Sequence, residues 1–182
     1  MPTDEALVER AKLADQDAFE ELFIKYRDMV FNLAWRISGS REEAEDITQK
    51  TFVKAYLGLF SFRGRSRFTT WLYRIAVNEA LRARSSGIRR AEAEQPINDL
   101  VPPSDEPDPA RAAQLSEMER GVRRAISELP PAHRAVITLR YTEGLQLSEI
   151  AEILGTSVGT IKSRLHHALK SLSFILRDWK NV

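Results

Sequence analysis

The stretch LQLSEIAEILGTSVGTIKSRLHHALKSLSFIL, residues 145–176, decides the architecture. Leu147, Ile150, Ala151 and Leu154 recur at three- and four-residue steps and mark the inner face of a short helix. Gly155 then permits a tight turn, because a residue without Cβ enters the left-handed region freely. Ser157 is placed to cap the next helix, whose expected apolar side is Val158, Ile161, Leu165, Leu169 and Leu172. Gly159, Lys162, Ser163, His166, His167 and Lys170 cluster on the opposite side. Two readings use this pattern. A helix packed on one side and presenting small, polar and basic groups on the other suits the major groove of duplex DNA. An amphipathic helix in a bundle, with a solvated polar face, has the same periodicity.

Working outward, helical spacing extends upstream through PAHRAVITLRYTEG, where Pro131 suits a first helical turn, and through AQLSEMERGVRRAISEL. Before that the composition changes. Residues 87–110 hold five prolines and few bulky aliphatics, so they read as a linker. Its acids serve either as a solvated tether or as a shield for a basic surface. Further upstream, Phe19, Leu22, Phe23, Tyr26, Val30, Leu33, Ala34 and Ile37 form a helical stripe that Gly39 ends. Ser40 and Glu43 fit a capping box, so the following helix starts near position 41. A further helix covers TTWLYRIAVNEALRAR. No strand alternation is visible. The expected fold is all-α: two small helical domains at 1–88 and 112–182, joined by an acidic, Pro-rich linker at 89–111, the second holding a helix-turn-helix.

The chain of 182 residues lacks cysteine, which excludes disulfides, thiol catalysis and thiolate metal sites. Three histidines offer little for a metal centre, and neither metal nor cofactor is expected. The N-terminus is acidic and lacks the basic-then-apolar order of a secretion signal, so a cytoplasmic protein is expected. Acid pairs such as Glu45-Asp46 lie on a charged helix face with no histidine or Gly-rich phosphate loop beside them, which argues against an enzyme. Net charge is +1, but the charges are segregated. Residues 61–90 carry eight arginines and one acid, whereas 91–110 carry six acids and no Lys or Arg. Separate surfaces for separate partners are implied.

The segment SFRGRSRFTTWLYRIAVNEALRARSS, residues 61–86, interleaves arginine with aromatic rings. Arg63, Arg65 and Arg67 precede Trp71 and Tyr73; Arg74, Arg82 and Arg84 follow. Trp71 and Tyr73 stand about 200° apart on a helix and cannot both face one core. Arginine matches phosphate geometry, and aromatic faces accept unstacked bases. The segment therefore suits single-stranded nucleic acid, unless both rings are buried between helices with polar tips outward.

Three motifs, SREEAEDITQKTFVKAY, SFRGRSRFTTWLYRIAVN and LSEIAEILGTSVGTIKSRLHHALKSL, resemble the extracytoplasmic-function class of bacterial RNA polymerase sigma factors, in order and over about 150 of the 182 residues. The resemblance implies regions 2 and 4, joined by a linker, and three surfaces. Asp46, Gln49 and Phe52 match the segment that docks on the clamp helices of the largest subunit of core RNA polymerase; Lys50 departs, since an acid is common there. Phe62, Arg63, Arg65, Arg67, Trp71, Tyr73, Arg74 and Asn78 match the part that melts the minus-10 element, Phe62 and Asn78 lining the pocket for an extruded base. Thr160, Lys162, Ser163, His166, His167 and Lys170 match the part that reads the minus-35 duplex, where arginine is common at the position of His167. An anti-sigma factor, often membrane-bound, is implied as a further partner. An autonomous helix-turn-helix regulator, using its first domain to dimerise or to bind a ligand, is the competing reading; a dimeric one would bury the EDITQKTF face against a second copy.

Overall fold

The computed structural model describes residues 2–87, 121, 122 and 124–179. All regular elements among them are helical, as the periodicity requires. They are α1 (Asp4–Lys12), α2 (Gln16–Ser38), α3 (Arg41–Gly58), a 3-10 turn (Leu59–Ser61), α4 (Phe68–Gly87), α5 (Pro131–Ile137), a π turn (Thr138–Thr142), α6 (Leu147–Ile153) and α7 (Val158–Trp179). The linker expected at 89–111, and the helix expected from 112 as far as residue 120, lie outside the described residues.

Local chemistry sets the helix ends. Asp15 accepts the Ala18 N–H at 3.1 Å and opens α2; Gly39, at φ 77°, closes it. Ser40 accepts the Glu43 N–H at 3.3 Å and opens α3. Helix α1 ends in a Schellman arrangement: the Ala14 N–H reaches the Ala11 carbonyl and the Asp15 N–H reaches that of Arg10. Ala14 holds φ 63° there, a conformation usually given to glycine.

Leu22, Val30, Leu33, Ala34 and Ile37 of α2 pack on Ala44, Ile47 and Ala55 of α3 and on Leu72, Ala76 and Val77 of α4, all essentially without solvent contact. The α2 stripe expected from the sequence is wider than the buried one: Phe23 stays 36% exposed. The same core continues into the second half of the chain through Val136, Leu139, Ile150 and Ile161. A smaller cluster of Leu129, Ile137 and Ala168 belongs to the second half alone.

Among the described residues, two polar contacts cross the seam between the halves. Arg134, only 3% exposed, donates to the carbonyls of Ile37 (2.8 Å), Leu129 (3.2 Å) and Ser127. The Ile37 carbonyl is in the last turn of α2, where a helix leaves acceptors unsatisfied and favours a cation. The second contact is the Tyr73 hydroxyl, which donates to Glu143 Oε2 at 2.5 Å. Burial, then the Glu143 carboxylate, push that hydroxyl above its ordinary pKa, so it remains a donor.

Candidate nucleic-acid interface

The helix-turn-helix is built as its sequence dictates. Gly155 adopts φ 59°, and Ser157 Oγ accepts the Thr160 N–H at 3.1 Å to start α7. Its packing differs from the expected side in one respect. Ile161 and Ala168 are fully buried, with Leu165 and Leu172 partly so, while Val158 and Leu169 are 38% and 42% exposed. Leu169 lies about 80° around the helix from Ile161, on its flank. The small Ala168 takes the inward position, against Leu129 and Ile137. Lys162, Ser163, His166, His167 and Lys170 are all exposed. Thr160 is half-buried, its hydroxyl 2.9 Å from Ser157 Oγ, so it serves the cap. The His166 and His167 rings stand edge to face at 5.7 Å, and no group of three or more potential metal-ligating side chains forms among the described residues. His133 of α5 is nearby: burial first, then the charges of His167 and Arg164, lower its pKa.

The second surface surrounds the loop before α4. Arg63, Arg65 and Arg67 are exposed, and none makes an ion pair among the described residues. Half-buried Phe62 meets Trp71 at 5.1 Å and Phe68 at 6.0 Å between ring centroids. Trp71 lies against Gly58, where a Cβ would come within 3.3 Å of the indole. On α4, Trp71, Arg74 and Asn78 share one strip at three- and four-residue spacing, with Arg74 and Asn78 exposed. Tyr73 is on the other side of the helix, buried in the seam. Arg82 reaches Glu79, which Lys54 of α3 holds at 2.5 Å; the Arg84 side chain lies outside the described part.

The opposite wall of this surface is α1. Asp4, Glu5, Val8 and Glu9 face Phe62, Gly64, Arg65, Ser66 and Arg67 across a cavity of about 430 Å³. Lys12 Nζ, held at 2.7 Å by Glu9, stands 5.7 Å over the Phe62 ring. No short-range pattern connects α1 to a loop more than fifty residues away, so the part these residues play is not legible in the sequence.

A third surface runs along α2 and α3. Phe19, Phe23, Gln49, Phe52, Val53, Tyr56 and Leu57 line an apolar groove of about 370 Å³. Val53, Tyr56, Leu57 and nearby Phe60 are 53%, 45%, 73% and 75% exposed, which is much bare apolar surface for one face. Phe52 is buried edge to face against Phe23 at 4.8 Å. Asp46, Gln49 and Val53 follow one another on the rim. Lys50 Nζ holds Asp46 Oδ2 at 2.5 Å, and that hydrogen bond raises the lysine pKa.

Two helical units, one with a helix-turn-helix and one with an Arg- and aromatic-rich helix, are the parts of a sigma-70 type transcription initiation factor. Residues 22–90 match the family model for sigma-70 region 2, and residues 119–172 match that for sigma-70 region 4. The ECF RNA polymerase sigma factor SigW of Bacillus subtilis is 36% identical over 94% of this chain and 95% of its own. The ECF RNA polymerase sigma-E factor of Haemophilus influenzae is 40% identical over 91% of each. Among solved structures, CnrH in complex with the cytosolic domain of CnrY superposes with a TM-score of 0.69 at 25% identity, over 96% of this chain and 97% of that one. The chain belongs to the ECF RNA polymerase sigma factors. No helix among the described residues is long and apolar enough to cross a membrane.

Proposed function

We propose that this chain binds core RNA polymerase and directs it to promoters through two different grips on DNA. Region 2, over 1–88, docks on polymerase with the apolar groove of α2 and α3, where Gln49 and Phe52 line the groove and Asp46 stands on its rim. Its loop arginines, Arg63, Arg65 and Arg67, hold the phosphates of the melted minus-10 strand. Phe62, Trp71, Arg74 and Asn78 receive its bases. Region 4, over 112–182, lays the exposed face of α7 in the minus-35 major groove, with Lys162, Ser163, His166, His167 and Lys170 toward bases and phosphates. The linker between them is 89–111.

The observation that carries this reading is the set of three exposed guanidiniums, without ion pairs among the described residues, beside a Phe62–Trp71 ring pair. Phosphate attraction alone needs the arginines; the adjoining rings add a place for unstacked bases. Extruding a base costs a few kcal/mol, and capture must return that energy.

CnrH is paired with the cytosolic domain of CnrY. As the family resemblance implies, an anti-sigma factor controls this chain, and a membrane-bound one would hold it at the inner face of the membrane. Run-off transcription on a promoter library, with purified core polymerase added, tests the whole reading. Specific starts are expected; their absence with inhibitors removed would overturn it. Asn78→Ala or Trp71→Ala should impair promoter opening while leaving polymerase binding intact.

A further inference from the structure

The cavity between α1 and the loop at 61–67 has walls of opposite sign. Arg65 and Arg67 stand on one side and Glu5 and Glu9 on the other, yet no ion pair of 4.0 Å or less closes the gap between them. The Phe62 ring lines the space as well. A nucleotide has the same polarity. Its phosphate is anionic, its flat base suits an aromatic ring, and the far edge of cytosine or adenine carries an amino donor.

Carboxylates so near a strand-binding loop oppose phosphate attraction unless something on the nucleic acid offers them hydrogens. The helix dipole accounts for an acid in the first turn of α1, where Asp4 and Glu5 lie. Asp4 is already committed to Lys25 and Tyr26. Glu9 holds Lys12 over Phe62. Glu5, one turn before Glu9, is exposed, and no hydrogen bond or ion pair occupies it among the described residues.

We propose that Glu5 is a specificity-determining residue of this cavity, accepting from the exocyclic amine of a captured cytosine or adenine and disfavouring thymine, which presents a carbonyl at that position. Glu9 sets the rear of the pocket through Lys12. This inference rests on the strand-capture reading above and adds which bases that pocket takes.

The test uses the full chain assembled with core polymerase and fork-junction DNA carrying a randomised six-nucleotide single-stranded tail, with the retained DNA sequenced. One tail position should favour cytosine or adenine over thymine by about tenfold or more, the range of one hydrogen bond to a charged group. Glu5→Ala should reduce that preference to about threefold or less. Glu5→Asp should keep most of it, and Arg65→Ala should lower total retention with the preference intact. An unchanged preference in Glu5→Ala, or a wild-type chain that retains tails without favouring an amine at any position, overturns the inference and leaves strand capture standing. A wild-type assembly that retains no tail above background overturns strand capture, and the inference with it.

Discussion

Arg134 and Ile37 lie 97 residues apart in sequence, yet the guanidinium of one caps the carbonyl of the other at 2.8 Å inside the protein. One side chain thereby closes the C-terminal end of α2 and fastens α5 to it. Arg134→Ala leaves the Ile37, Leu129 and Ser127 carbonyls without their donor. Removing one partner from such a buried site costs about 3 kcal/mol, or about 10 °C in Tm for a domain of this size. Arg134→Lys should recover only part of that, because an ammonium lacks the fork. Thermal melts followed by circular dichroism decide; a change under about 2 °C in Arg134→Ala would show that this side chain does not fasten the two helices.

Tyr73 and Glu143 form the second fastening of the seam. Tyr73→Phe keeps the ring packing and deletes the donor, at about 1–2 kcal/mol. Amide hydrogens of α6 should then exchange about tenfold faster under native conditions. Exchange that speeds up equally in α2 and α6 would mean the bond does not act at the seam.

Lys50 occupies Asp46 through an intrahelical ion pair on the proposed polymerase face. Lys50→Glu releases that carboxylate and adds a second acid to the rim of the groove. If the polymerase clamp presents basic groups there, core affinity rises several-fold; competition against a labelled sigma factor reads this, and weaker binding contradicts it.

Asp4 ties α1 to α2. Burial raises its pKa, but the hydrogen bonds from Lys25 and Tyr26 outweigh burial and hold the carboxyl below its ordinary value. The folded state therefore binds this proton less readily than the unfolded one. The stabilisation is complete above the unfolded value of about 4 and is lost as pH falls through the lower folded value. Tm should stay level with respect to this group down to about pH 5 and decline below about pH 4. Asp4→Asn should lower Tm at neutral pH and flatten that acid limb; an unchanged limb assigns the acid sensitivity elsewhere.

Ala14 sits at φ 63° in the turn after α1. Relief of the Cβ clash by Ala14→Gly is worth about 1–2 kcal/mol, against about 0.4–1 kcal/mol lost to a freer unfolded chain. A net gain of roughly 0.5 kcal/mol should raise Tm by about 1–2 °C. Ala14→Val should lower it. A lower Tm for the glycine variant would show that the turn is not strained.

Every feature legible in the sequence was local. Ser40, Gly39, Pro131, Gly155 and Ser157 act on backbone atoms within a few residues, so their roles follow from composition and spacing. The exposed polar face of α7 follows from the same periodicity. What escaped depends on groups remote in the chain. Nothing near position 134 marks its arginine as buried, because its acceptor is an α2 carbonyl. Nothing around Tyr73 distinguishes a ring offered to DNA from one turned toward Glu143, 70 residues on. Ala168 escaped for another reason: a small residue scores weakly as apolar, although its size admits the closest approach. The acidic wall of α1 faces its loop only after α1 folds back along α2.

A core that spans both halves also has a bearing on birth at the ribosome. The side of α4 that packs on the second half is finished by residue 87, whereas α6 ends at Ile153, 153 − 87 = 66 residues later. At roughly 5–20 residues per second, that greasy flank stays uncovered for several seconds of translation. A newborn chain is thus most adhesive before its second reading head has emerged, which makes that interval the natural moment for a chaperone to attend it.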